Sequence, residues 1–215
     1  MMHDLVIIGA GGFAREVAFL VANINRVQPE WNLLGYLDRE AHDVGVQLGA
    51  YSIIDTEDYF EKSQKDVYVV IGIGAPDIIS SVTERLRKYP HVKFPNLIHP
   101  SVIRDTERVN FGAGNIVCAG NIFTTDIDVG SFNILNLSCT FGHDAVIGDC
   151  NVVNPGVNVS GGVVIEDRCL LGTGATILQN RRVGAGGIVG AGAVVSKDVE
   201  AGVTVVGVPA KPLGK

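Results

Sequence analysis

The stretch Leu135-Asn-Leu-Ser-Cys-Thr-Phe141-Gly-His-Asp-Ala-Val-Ile147-Gly-Asp-Cys-Asn-Val-Val153 carries a bulky apolar residue at every sixth position. That spacing is neither the 3.6 of a helix nor the simple alternation of a strand. It continues in both directions. Phe111, Val117, Phe123, Val129, Leu135, Phe141, Ile147, Val153, Val159, Ile165, Leu171, Ile177, Val183, Val189 and Val195 are all apolar, fifteen of fifteen. With 47% of the chain hydrophobic, chance gives such a run at roughly one in 10⁵.

Two further positions of the hexad are patterned. The next residue is often glycine, as at Gly112, Gly130, Gly142, Gly148, Gly172, Gly184 and Gly190. Four residues after the apolar site the side chain is small, as at Cys139, Ala145, Val157, Val163, Cys169, Ala175 and Ala193. One short strand and one turn consume six residues, and each strand sends one bulky side chain inward. Three such faces close a triangular coil of eighteen residues. Coils then stack at the strand spacing of ~4.8 Å, with backbone bonds running from coil to coil. Glycine and asparagine suit the corners, where positive φ is needed. Residues 111 to 200 hold five such coils.

The first ~95 residues have a different grammar. Leu5–Ile8 predicts a buried strand, Gly9 to Gly12 a tight turn, and Phe13 to Ile24 a helix with Val17, Leu20, Val21 and Ile24 on one face. Strands follow at Leu33–Leu37, Val67–Ile73 and Phe94–Ile98, with helices at Thr56–Lys62 and from Asp77 to Tyr89, ahead of Pro90. This βαβ order predicts a small parallel sheet with covering helices. The expected organisation is an α/β Rossmann-like unit over 1–98 and a repeat unit over 99–215.

The balance of the 215 residues excludes several classes. Seventeen Lys and Arg against twenty-three Asp and Glu leave a net charge of −6, the wrong sign for a nucleic-acid or anionic-membrane binder. Apolar stretches are interrupted too often for a membrane-spanning helix, and the start lacks a signal peptide's pattern, so a cytoplasmic protein is expected. Cys118, Cys139, Cys150 and Cys169 show no CxxC spacing, so neither a metal site nor a redox motif is signalled.

Gly9, Gly11 and Ala14 form GxGxxA, a weak dinucleotide fingerprint, with Asp38 as an acid after the second strand. NAD, another nucleotide, or a turn needed for packing alone are its three readings. Ninety-five residues do not readily supply both halves of an NAD site, and no hydride-transfer site is evident. His143 is the candidate general base, because its ordinary pKa lies near neutrality. Asp144 can fix its tautomer, provided that the pair sits at a corner, since neighbours on a strand face opposite ways.

The chain resembles the hexapeptide-repeat acyltransferases, which are left-handed parallel β-helices. The segments Ile7-Ile-Gly-Ala-Gly-Gly-Phe13, Asn96-Leu-Ile-His-Pro-Ser101, Asn136 to Gly148, and Val206-Gly-Val-Pro-Ala-Lys211 resemble one subgroup. Its members are bacterial sugar-nucleotide N-acetyltransferases, of the bacillosamine and perosamine type, and sialic acid O-acetyltransferase-type proteins. The resemblance implies a homotrimer that takes acetyl-CoA between neighbouring β-helices and acetylates the amine of a nucleotide-linked 4-amino-4,6-dideoxyhexose, for surface glycans. No metal is implied. O-acetylation of sialic acid, a non-catalytic sugar-nucleotide-binding scaffold, and a serine-acetyltransferase-like enzyme are the alternatives. The last is disfavoured by the N-terminal unit.

By position, the resemblance implies Gly11, Gly12 and Phe13 for the diphosphate and Asp38 for base or ribose. Gly74, Asp77 and Asn136 complete the substrate site, His143 and Asp144 the catalytic pair, and Thr173, Ala191 and Lys211 the acetyl-CoA site. Lys197, Arg181 and Arg182 are further candidates for the CoA phosphates. Subgroup members often carry a second histidine nine residues after the catalytic one, where this chain has Val152.

Overall fold

A computed structural model describes residues 2–62 and 65–213. The N-terminal sheet is formed by β1 (His3–Ile8), β2 (Trp31–Leu37), β3 (Gln47–Leu48), β4 (Tyr51–Asp55), β5 (Val67–Ile71) and β6 (Val92–Lys93). Its order is β3-β4-β2-β1-β5-β6, parallel except for the β3–β4 pair. Leu5, Val6 and Ile7 of the central strand are fully buried. The helices are α1 (Gly12–Val27), α2 (Tyr59–Lys62) and α3 (Pro76–Leu86). On α1 the buried side chains are Ala14, Val17, Ala18, Leu20, Val21 and Ile24, one stripe of an amphipathic helix. Proline at the start of α3 supplies a helical φ and lacks only an N–H that has no helical partner there. Because β2 and β5 flank β1 on opposite sides, the order in which the parallel strands are added reverses at β1. A crevice opens at the carboxyl ends of those strands.

From Leu97 the chain winds as a left-handed parallel β-helix with three faces. The first face begins at Leu97–Ile98, which pairs with Ile116–Val117. Of the segment expected as one strand at Phe94–Ile98, only Leu97–Ile98 is a strand, and a second strand, Val92–Lys93, lies just before it. Val92–Lys93 closes the N-terminal sheet, and Leu97–Ile98 opens the β-helix. The second face has six strands, five of them within residues 111–200 as the hexad predicts and one, Ile103–Arg104, ahead of that range. The hexad misses the ends because their turns differ in length. Ile103 pairs with Ile122, nineteen residues on, while Val109 pairs with Ile127, eighteen on. At the other end Val183 bridges Val199, only sixteen on.

The predicted ladder residues fill the β-helix. Of the fifteen, all are buried but Phe111, which is half-buried at the open end under the Arg104 guanidinium, 5.3 Å from its ring centroid. Phe123 and Phe141 stack at 4.6 Å between centroids. The small residues Cys139, Ala145, Val157, Val163, Cys169, Ala175 and Ala193 are fully buried. The glycines after the apolar sites serve a purpose other than positive φ. A β-carbon at Gly142 would lie 2.6 Å from the backbone nitrogen of Gly161 on the next coil. Positive φ falls instead three residues after the apolar site, at Gly120, Asp126, Phe132, Ser138, Asp144, Cys150 and their successors as far as Gly192.

The two units share a core. On the first face Ile116, Ile134 and Val152 point outward, yet they are buried in the cluster that contains α1 and the N-terminal sheet. Phe94 packs edge-on against Phe132 at 5.0 Å to complete the joint. No helix among the described residues is long and apolar enough to cross a membrane.

Candidate active site

Three groups of predicted residues occupy three places. The first is the exposed corner between the second and third faces, where Thr140–Phe141 ends and Val146–Ile147 begins. Asp144 has φ +61°, the left-handed conformation shared at this corner by Asp126, Gly162 and Asn180 and tolerated by aspartate. The turn swings its carboxylate beside the preceding side chain, and His143 Nδ1 lies 2.7 Å from Asp144 Oδ2. The corner that the pair requires is present. A carboxylate only accepts, so Nδ1 is the donor in this contact, and in the neutral ring the lone pair falls to Nε2. Both side chains are more than half exposed, at 57% and 66%. The backbone beneath them is tied down: Gly162 N–H donates to His143 O at 2.8 Å, and Asp144 N–H to Thr125 O at 3.3 Å.

Gly161 was not singled out by sequence. Its α-carbon lies under the imidazole, and a β-carbon there would be 2.6 Å from His143 Nε2. A small residue eighteen on from the histidine is the signal that could have found it.

The second place is a cleft of about 860 Å³ at the crevice of the N-terminal sheet. Asp38 and Asp77 line it, with Ile8, Gly9, Leu37 and Ile73 at the strand ends and Glu57, Asp58 and Arg85 beyond them. Gly11, Gly12, Phe13 and Gly74 are not among its walls but adjoin them in the chain. Gly9 is required by the fold, since its φ is +97° and a β-carbon would meet Ile73 at 2.8 Å. Gly11 and Gly74 are different: a β-carbon at either has nothing within 4 Å, and at Gly12 only the tip of Arg15 at 3.9 Å. Neither packing nor φ asks for glycine there, so the bare backbone stands open to a ligand. Gly11 caps α1 without a side-chain hydrogen bond, and the helix's first N–H groups and its dipole suit an anion.

The third place is the corner between the first and second faces. Thr173 and Ala191 stack there one coil apart, both exposed, with Gly192 N–H donating to Thr173 O at 2.8 Å. Asn136 lies on the same corner two coils back. It is largely buried, its Oδ1 accepting from Leu137 N–H at 2.9 Å. Within one chain neither Asn136 nor the Thr173–Ala191 edge is hydrogen-bonded to the His143–Asp144 pair, which stands at another corner. Lys211 belongs to the C-terminal strand Lys211–Pro212, antiparallel to Thr204–Val206. It shares a cleft of about 630 Å³ with Lys197.

Other candidates resolve by their partners. Arg182 is ion-paired with Glu166, and Arg181 lies 3.6 Å from Asp198, so both are occupied within the chain. All four cysteines are buried and free. Burial pushes the Cys118 thiol up to about 12 and those of Cys139, Cys150 and Cys169 to about 11, which removes them as nucleophiles at neutral pH. His99 accepts from Ser101 N–H at 3.0 Å in the first corner of the β-helix, and burial lowers its pKa. Val152 is 2% exposed in the cluster joining α1 to the β-helix, so its side chain is sealed from solvent.

Residues 4–86 match the PglD N-terminal domain, and residues 144–179 match the bacterial transferase hexapeptide (six repeats). No curated protein sequence matches the chain. Among solved structures it is similar to the acetyltransferase domain of PglB from Neisseria gonorrhoeae FA1090 in complex with acetyl coenzyme A. That pair shares 30% identity with TM-score 0.89, covering 99% of this chain and 100% of that one. WeeI from Acinetobacter baumannii AYE is 32% identical with TM-score 0.87, over 99% and 100% of the chains. PerB from Caulobacter crescentus, in complex with CoA and GDP-perosamine, is 28% identical with TM-score 0.85, over 100% and 99%.

Proposed function

This chain belongs to the hexapeptide-repeat acetyltransferases with a PglD-type N-terminal domain, and from that premise we propose that it moves acetyl from acetyl-CoA to the amine of a nucleotide-linked amino sugar. The observation that carries the reading is the exposed His143–Asp144 pair, with Nδ1 2.7 Å from the carboxylate and Nε2 on the ring's free side. The amine nitrogen attacks the thioester carbonyl directly, a C–N bond forms, and the C–S bond breaks. His143 Nε2 takes the proton that the amine sheds and passes it to the departing sulfur. Asp144 steadies the imidazolium in between. No acyl-enzyme is needed, which agrees with thiols that are buried and protonated.

The N-terminal cleft holds the nucleotide-sugar. Its diphosphate meets the open backbone of Gly11, Gly12 and Phe13, and Asp38 and Asp77 meet hydroxyl or base donors. Acetyl-CoA runs along the Thr173–Ala191 edge towards Lys211 and Lys197. Because that edge and the His143 corner are separate edges of one prism, the reaction joins residues of two chains, and the working form is a homotrimer. The test is CoA release with a panel of nucleotide-linked amino sugars. Turnover of at least one, abolished with its amine blocked, supports the reading. Acetylation only of sugar hydroxyls, or of none of the panel, would overturn it.

A further inference from the structure

The far part of the N-terminal cleft is closed by a clasp. Glu57 follows β4, and Arg85 lies twenty-eight residues on in the last turn of α3. Arg85 donates from Nε to Glu57 Oε2 at 3.0 Å and from Nη2 to Oε1 at 2.6 Å, a bidentate pair. From Nη1 it donates to Ser81 Oγ at 2.8 Å. Asp77, Ser81 and Arg85 are four residues apart along one helix face, and all three line the cleft. Arg85 therefore sits ~12 Å beyond Asp77 along α3, at a nucleoside's distance from the strand ends.

We propose that this clasp reads the nucleobase, and that the base it fits is guanine, so that the substrate is linked to GDP. The inference rests on the assignment of the cleft to a nucleotide made above. A guanidinium has five N–H donors. Glu57 and Ser81 take three and leave one on each terminal nitrogen. Two adjacent donors match O6 and N7 of guanine, the pairing by which arginine reads guanine in DNA. The carboxylates of Glu57 and Asp58, which line the same part of the cleft, match the adjacent N1–H and N2 amino donors on guanine's other edge. Uracil and thymine present a single N–H between two carbonyls. They offer neither an adjacent pair of acceptors to Arg85 nor an adjacent pair of donors to the carboxylates, and their carbonyls face negative charge. Ile78, an apolar side chain left 48% exposed at the cleft, supplies a surface for the flat face of a ring.

The experiment is calorimetric titration of the full chain with GDP, UDP and dTDP. GDP binding at least ~5-fold tighter than either pyrimidine nucleotide is expected, the scale of one bidentate base contact. Arg85→Lys keeps the charge beside Glu57 but loses the fork. It should weaken GDP ~10-fold and leave UDP within ~2-fold, a change in ratio that mere loosening of α3 does not produce. If Arg85→Lys melts early, Glu57→Gln serves for the same ratio. Equal or tighter binding of UDP or dTDP overturns the guanine assignment and leaves the nucleotide cleft standing. A GDP preference unchanged in both variants overturns the role of the clasp. Failure of all three nucleotides to bind overturns both this inference and the reading beneath it.

Discussion

The imidazole of His143 rests on the bare α-carbon of Gly161, one coil further along the same corner. A methyl group there would come within 2.6 Å of Nε2 and 2.7 Å of Cε1. Gly161 lacks positive φ, so alanine is conformationally allowed, and the only thing it strikes is a ring that can swing into solvent. Gly161→Ala should therefore leave the melting temperature nearly unchanged and lower kcat by ~10–100-fold, because a base misplaced by an ångström is a poor base. Parallel melting and steady-state runs decide it: full activity in a well-folded variant would mean that the ring does not work from this position.

His143→Ala should cost ~10²–10⁴ in kcat, the usual span for a lost general base. Asp144→Asn should cost less, since an amide can still hold the ring while losing the charge that favours imidazolium. The alkaline-rising limb of kcat/KM against pH should be present in the parent and missing in His143→Ala. Retention of that limb would assign it to another group.

Association of chains predicts a light-scattering mass about three times 22.7 kDa. Ile103 and Ile122, neighbours on the second face, are 64% and 39% exposed in the single chain. A face of this kind is suited to burial against another copy. Ile122→Glu should shift the mass towards one chain, and turnover should fall with it. A monomeric variant of undiminished activity would remove the shared site.

Acid stability has a local contributor in Asp55. Its carboxylate receives the Lys62 ammonium at 2.8 Å, and that hydrogen bond holds its pKa below the ordinary 3.8. A carboxyl depressed in the folded state stabilises at neutral pH, and the contribution is lost as pH falls through the folded pKa. Asp55→Asn should lower the melting temperature at pH 7 by no more than ~2–4 °C, and the gap from the parent should close at strongly acid pH. An unchanged gap there would show that charge is not the cause.

The hexad was legible because one physical demand, a bulky side chain into a prism of fixed width, recurs without a break from Val117 to Val195. Its ends were not, since an added residue near Asp105 and two missing before Val199 shift the frame while the strands still pair. His143 and Asp144 were legible as chemistry, and their contact followed once Asp144 fell on a left-handed position. The partners of Arg181 and Arg182 were not legible, because the carboxylates lie seventeen and sixteen residues away along the chain and meet them across a coil. The Glu57–Arg85 clasp leaves no trace in any window, since a strand and a helix lie between its halves.

The repeating corner makes the proposed catalytic pair addressable. Four successive coils offer the same two-residue slot, filled by His143 and Asp144 in one turn and by Gly161 and Gly162 in the next, with the same handedness at its second position. Moving the pair eighteen residues along would carry the reacting nitrogen by one strand spacing, ~4.8 Å, without altering the inward ladder that holds the prism together. The protein is in that sense a graduated rail. The distance between its base and its two substrates is set in whole coils, and acceptors of different reach could be served by sliding a dipeptide along it rather than by reshaping a pocket.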